Sequence, residues 1–177
     1  MGHVTDHREP IVRTKGRGAP DAGEPWNEIV PGLWMGGHRY RDVAGVLRDA
    51  VVAEEFDVVC SLYLRDGHGP PPHVEHHCAL VPDDPLSSAE IRAVLGLAEI
   101  AAEAVRGGRR VLVRCHSGYN RSGLVVAQAL VLLGHEMDDA IFLIRRRRSR
   151  WALNNRLFEE YLTTGLDVAC LLTGLDA

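Results

Sequence analysis

Residues 111–134 read VLVRCHSGYNRSGLVVAQALVLLG, and the reading of this stretch decides the fold. Arg110 to Cys115 is a short apolar, β-branched run, the composition of a buried strand. From Arg121 the apolar residues of RSGLVVAQALVLLG predict a helix. Between them lies a loop with Cys115 and Arg121 six positions apart (121 − 115) and Gly118, Ser122 and Gly123 around them. A packing thiol, a metal ligand and a catalytic nucleophile are all open readings of that cysteine.

The flanking chain repeats the alternation of strand and helix. FDVVCSLYL (56–64) predicts a strand and VEHHCALV (74–81) a second, separated by RDGHGPPPH, a loop stiffened by three prolines. Ser87 and Glu90 have capping-box spacing ahead of a helix whose face is marked by Ile91, Leu95, Ala98 and Ala102. Gly107 and Gly108 stop it. Helices are also predicted over 138–148 and 154–164, with the tail continuing as a helix packed on the body.

Upstream, Val43, Val46, Leu47 and Val51 stand at helical spacing and predict a helix over 41–55. Pro31–Gly32 predicts a tight turn between two short extended pieces. Residues 1–25, rich in Gly, Pro, His and charge, read as a mobile leader, and 26–177 as a single domain. The sum is an α/β fold: a central, mostly parallel sheet of about four to five strands flanked by helices on both faces. Ligands bind such sheets beyond the carboxyl ends of the strands, the edge to which Cys115 is assigned.

Composition narrows the function. The 177 residues suit one domain with a real core, and a net charge of −4 points neither to nucleic acid nor to an anionic membrane. The longest apolar run, 124–134, is too short to span a bilayer, and the N-terminus lacks the apolar core of a signal peptide. Four cysteines, Cys60, Cys78, Cys115 and Cys170, are widely spaced with no CxxC, which reads as reduced thiols in the cytoplasm.

A loop between a buried strand and a helix N-terminus can turn its backbone N–H groups inward. Here His116, Ser117, Gly118, Tyr119, Asn120, Arg121 and Ser122 would form such an anion nest, helped by the helix dipole. Arg121 adds a planar fork suited to two phosphate oxygens. A cysteine at the base of the cradle is favoured as thiolate, so one loop supplies a nucleophile and a site for a tetrahedral oxyanion. Ser122 is placed to donate a hydrogen bond to that thiolate. The leaving group then needs an acid, and VPDDPLSS offers Asp83 or Asp84 at the end of the preceding strand.

CHSGYNRS resembles the Cys-x5-Arg-Ser/Thr signature of the cysteine-dependent protein tyrosine phosphatases, and the dual-specificity branch fits best. NEIVPGLWMGG resembles that branch's opening stretch, and RSGLVVAQALVLL with AIFLIRRRRSRWALNNRLFEEYL its closing helices, so the likeness spans roughly residues 26–163. The resemblance implies Cys115 as nucleophile, Arg121 as phosphate binder, Ser122 as thiolate partner and one aspartate as acid, with no metal or cofactor. Asp83 follows Pro82 as in the Pro-Asp of compact members and is preferred; Asp84 is the alternative. The implied partner is a phosphorylated protein or small phosphorylated substrate. The same chemistry on inositol phosphates, phosphoinositides or RNA 5′-triphosphate, and a phospho-binding pseudophosphatase, are the competing readings. One departure stands out: members usually carry His immediately before the nucleophile, and this chain has Arg114.

Other clusters have plainer readings. His76, His77 and Cys78 with Cys60 are not read as a metal site, because adjacent strand residues face opposite sides and do not converge. Cys60 and Cys78 are read as strand packing, with a disulfide to an oxidised Cys115 as the alternative. Arg145 to Arg148 read as a solvated face with one or two structural ion pairs. His116 and Tyr119 are candidates for the pocket mouth.

Overall fold

A computed structural model of the chain describes residues 16–175. β1 (Trp26–Val30) and β2 (Leu33–Gly36) form an antiparallel pair across the expected Pro31–Gly32 turn. Gly32 there takes φ +85°, and its N–H donates to Glu28 Oε1 at 2.9 Å. β2 runs parallel to β7 (Val111–Arg114), β7 parallel to β5 (Val58–Ser61), and β5 parallel to β6 (Glu75–Cys78). The order β1-β2-β7-β5-β6 puts β7 in the middle, and every residue of β5 and β7 is buried. Cys115 therefore emerges at the carboxyl end of the central strand.

The helices are α1 (Ser88–Arg106), α2 (Arg121–Leu132), α3 (Met137–Arg147), α4 (Arg156–Thr164) and α5 (Leu166–Leu175). α1 opens with the expected reciprocal capping box, the Ser87 hydroxyl accepting from Glu90 N–H while the Glu90 carboxylate accepts from Ser87 N–H. Strand alternation sends Leu33, Met35, Val58, Cys60, Val111 and Val113 into one core with the helices' apolar faces. Val59 and Leu112 point the other way, into a smaller cluster with Val52 and Phe56, edged by Trp26 and Trp34. Among the described residues, no helix is long and apolar enough to cross a membrane.

The mixed α/β class and the mostly parallel sheet agree with the sequence reading, but the helix expected over 41–55 does not form. β3 (Arg39–Arg41) and β4 (Leu47–Asp49) make an antiparallel hairpin there. Asp42 Oδ1 accepts from the N–H groups of Ala44 (3.0 Å) and Val46 (2.8 Å), a local turn that competes with helix, and Gly45 takes φ +76°. Val43, Val46, Leu47 and Val51 are all exposed, so their spacing buries no face. The second face of the sheet is consequently covered by the segment around Val52 and Phe56 rather than by a helix.

The leader boundary also moves. Residues 1–15 lie outside the described residues, but Ala19 and Ala22 are buried in the main core. The carbonyls of Pro20 and Pro25 accept from Tyr119 Oη (2.9 Å) and Gly37 N (3.1 Å). The segment packs because two small side chains enter the core and its backbone satisfies donors at the carboxyl edge of the sheet, which its polar composition does not reveal.

Gly45 tests the hairpin directly. A Cβ there meets nothing within 4 Å, so replacement is governed by the positive φ alone. Gly45→Ala should lower stability by about 1 kcal/mol in urea unfolding, whereas a helix over 41–55 would gain about that much from the same change.

Candidate active site

The loop from Cys115 to Arg121 is held from behind by its carbonyls. His38 donates twice, from its backbone N–H to His116 O (3.0 Å) and from its ring Nδ1 to Cys115 O (3.1 Å). A carbonyl only accepts, so Nδ1 carries the imidazole proton. Arg148 donates from Nε to Gly118 O (3.1 Å) and from Nη2 to Ser117 O (3.5 Å). In a trans peptide the N–H points opposite to the C=O. Four carbonyls fixed behind the loop therefore turn the N–H groups of His116, Ser117, Gly118 and Tyr119 to the front, an anion nest at the N-terminus of α2.

The thiol sits at the base of that nest. Cys115 is buried, and its Sγ accepts from Gly118 N at 3.3 Å and lies 3.3 Å from Ser122 Oγ. Gly118 makes the geometry possible: it takes φ +71°, and a Cβ would come within 2.4 Å of the Gly36 carbonyl carbon. Arg121 closes one side, with Nη1 donating to Val81 O at 3.1 Å and its guanidinium 5.6 Å over the Tyr63 ring. Its Nε is buried with no hydrogen-bond partner.

Asp83 and Cys115 line one cavity of about 50 Å³, together with Ser117, Tyr119, Asn120, Arg121 and Asn154. Roughly 10–15 Å³ suffices for one water, so this space takes a group of about three to five heavy atoms. Asn120 Nδ2 donates to Asp83 Oδ2 (3.0 Å) and Asn155 Nδ2 to Asp83 Oδ1 (2.8 Å), while Arg17 Nη2 donates to the Asp83 carbonyl (3.0 Å). Asp84 is exposed and lines a separate surface cavity with Arg17, Asn154 and Arg156. His116 stands outside the small cavity, packed edge-on against Tyr63 with ring centres 5.0 Å apart.

Arg114 turns away from all of this. It alternates with Val113, and its guanidinium bonds Ser61 Oγ (3.0 Å), His68 O (2.9 Å) and Gly69 O on the other face. The run 145–148 is not one solvated face either. Arg146 and Arg147 are exposed and Arg145 pairs with Glu159 at 2.8 Å, but Arg148 is buried behind the loop, where it also bonds Glu24 O and Asn27 Oδ1 at 2.8 Å. Burial lowers Arg148 to about 10, which leaves it a cation at neutral pH. Its charge is wanted where carbonyl dipoles point, which four consecutive arginines do not disclose.

Of the remaining thiols, Cys60 is packed as expected and burial pushes it up to about 12. Cys78 does not pack as expected: β6 is the edge strand and leaves it exposed, its Sγ 3.4 Å from His76 Nε2, while His77 bonds Glu75. Among the described residues no three His, Cys, Asp or Glu side chains converge as a metal site. His38, Arg148, Asn154 and Asn155 were not found from sequence. The one local signal was Gly36–Gly37 ahead of His38: a Cβ on Gly37 would lie 2.8 Å from Ser117, so the pair marks a close backbone approach.

A central parallel strand leading through a loop into a helix N-terminus, within this strand order, is the fold of the dual-specificity and tyrosine phosphatases. Human DUSP28 superposes with a TM-score of 0.65 at 22% identity, covering 82% of this chain and 95% of that one. A mouse putative dual specificity phosphatase, solved with zinc tungstate, gives 0.58 at 24%, covering 88% and 96%. Tk-PTP in its active form gives 0.56 at 24%, covering 79% and 95%. No protein-family model and no curated protein sequence matches the chain.

His38 also makes stability pH-dependent. Burial, the largest cause, lowers it from 6.5 to about 4, with Arg114, His68 and His116 adding to the effect and the Cys115 carbonyl bond opposing it. Between these values the unfolded chain binds the extra proton, so stability is lost as pH falls from 6.5 towards 4, by up to about 3 kcal/mol. Urea unfolding across that window should show this loss, and His38→Asn should flatten it.

Proposed function

We propose that the chain is a phosphate-monoester hydrolase of the dual-specificity type, acting through a cysteinyl-phosphate on phosphorylated Tyr or Ser/Thr of proteins. The observation that carries the reading is the buried, unpartnered Arg121 Nε beside a thiol that already accepts from Gly118 N–H. A buried donor without a partner is costly, and a phosphoryl oxygen would satisfy it together with the nest N–H groups.

In the first step Cys115 Sγ attacks phosphorus. The bond to the ester oxygen breaks, and Asp83 gives that oxygen a proton. Arg121 and the nest hold the equatorial oxygens as charge builds. In the second step water attacks phosphorus, Asp83 takes its proton, and the S–P bond breaks to return the thiolate. Ser122 Oγ, 3.3 Å from Sγ, stabilises the sulfur as it leaves. Asp83 is supported over Asp84 because it lines the cavity of Cys115, whereas Asp84 lines its neighbour.

The binding-only reading rested on Arg114 in the place of the family's usual His, and Arg114 occupies the opposite face of the sheet from the pocket. Proteins are favoured over inositol phosphates because HSGYN brings no lysine to meet additional phosphates.

The test is para-nitrophenyl phosphate hydrolysis with EDTA present. Wild type should turn over, Cys115→Ser should abolish turnover, and Asp83→Asn should reduce kcat by about 10²–10⁴ while Asp84→Asn stays near wild type. A phosphopeptide and inositol-phosphate panel then reads the substrate class. A folded wild type without turnover from acidic to neutral pH would overturn the enzyme reading in favour of a phosphate-binding module.

A further inference from the structure

We infer that His38 is a positioning residue for the nucleophile: its Nδ1–H holds the Cys115 carbonyl so that the following N–H faces the bound anion. This rests on the reading of Cys115 as the nucleophile. The side chain adjacent to Cys115 does not do this work, because Arg114 is spent on Ser61, His68 and Gly69 across the sheet. His38 lies 77 positions upstream, two residues beyond the end of β2, and reaches the loop from the neighbouring strand.

Its grip covers two successive peptides. The backbone N–H takes His116 O and the ring takes Cys115 O, so the His116 and Ser117 N–H groups are both committed to the front. The ring has little freedom to do otherwise. It is fully buried, its carbonyl accepts from Ala50 N at 2.9 Å, and it packs edge-on against Tyr63 and beside His68, each with ring centres 5.3 Å away. Gly37, with no side chain, lets β2 approach Ser117 closely enough for the ring to reach. Burial keeps the imidazole neutral, with its one proton on Nδ1, so the donor persists through neutral and mildly acidic pH.

A packing role would be met by any side chain of similar volume; a donor role would not. The test compares three variants. His38→Asn keeps a donor near the position of Nδ1, His38→Gln moves it one bond further out, and His38→Leu removes it. Two readouts are taken on each: iodoacetamide alkylation of Cys115 with its protection by inorganic phosphate, and kcat on para-nitrophenyl phosphate. His38→Asn should stay close to wild type in both, while Gln and Leu weaken phosphate protection about tenfold or more and lower kcat with it. Wild-type phosphate protection in His38→Gln or His38→Leu, or an Asn variant as impaired as Leu, would overturn the assignment. If His38→Leu does not fold, the Asn–Gln pair decides. A wild type whose thiol phosphate protects but which hydrolyses no ester overturns the phosphatase reading, and the alkylation comparison still decides the role of His38.

Discussion

A peptide plane carries its C=O and its N–H on opposite sides, and the Cys115–Arg121 loop of this protein depends on that constraint. Nothing needs to point the nest N–H groups at an anion directly. It is enough that the carbonyls of Cys115, His116, Ser117 and Gly118 are tied down behind them, two by His38 and two by Arg148. Both clamps come from outside the loop, one following β2 and the other closing α3. The loop therefore has its shape only when β2 lies beside β7 and the end of α3 reaches the same edge.

Burying a guanidinium is expensive unless its donors are met. Arg148 meets four acceptors and lies 5.9 Å from the Tyr119 ring centre, while Arg114 meets three on the opposite face. Two buried arginines thus fix backbone on the two sides of the sheet, and a third, Arg121, keeps one buried donor free. That difference separates scaffold from site among residues of identical chemistry. The same economy holds at α4, where Asn155 caps Leu157 N–H with its oxygen and holds Asp83 with its nitrogen, joining that carboxylate to the helix that begins beside it.

How much of this was legible depends on whether the signal is local. Cys115, Arg121 and Ser122 are placed by one strand–loop–helix, and the Ser87–Glu90 cap by four residues, so spacing alone located them. The helix over 41–55 failed because spacing says which residues could share a face, not whether a partner exists to cover it. Val43 and Val46 are exposed, and the Asp42 turn with Gly45 at positive φ decides the conformation instead. Arg148 was hidden among like neighbours, since a run of arginines has no internal mark of which one faces inward. The segment 16–25 was hidden by composition, because it holds to the body through two small alanines, backbone carbonyls and the Asp21–Arg41 pair rather than through a periodic apolar face.

By itself the sequence determined the α/β alternation, the strand before Cys115 and the identity of the loop that bears the thiol, because each is written in contiguous residues with a short period. Only the tertiary structure decided which aspartate shares a cavity with the thiol, which arginine of four supports the loop, and that a histidine 77 residues away holds the Cys115 carbonyl. Those contacts join residues far apart in the chain. Their energies arise from donors and acceptors that meet only after the strands are ordered β1-β2-β7-β5-β6, and no local pattern encodes that meeting.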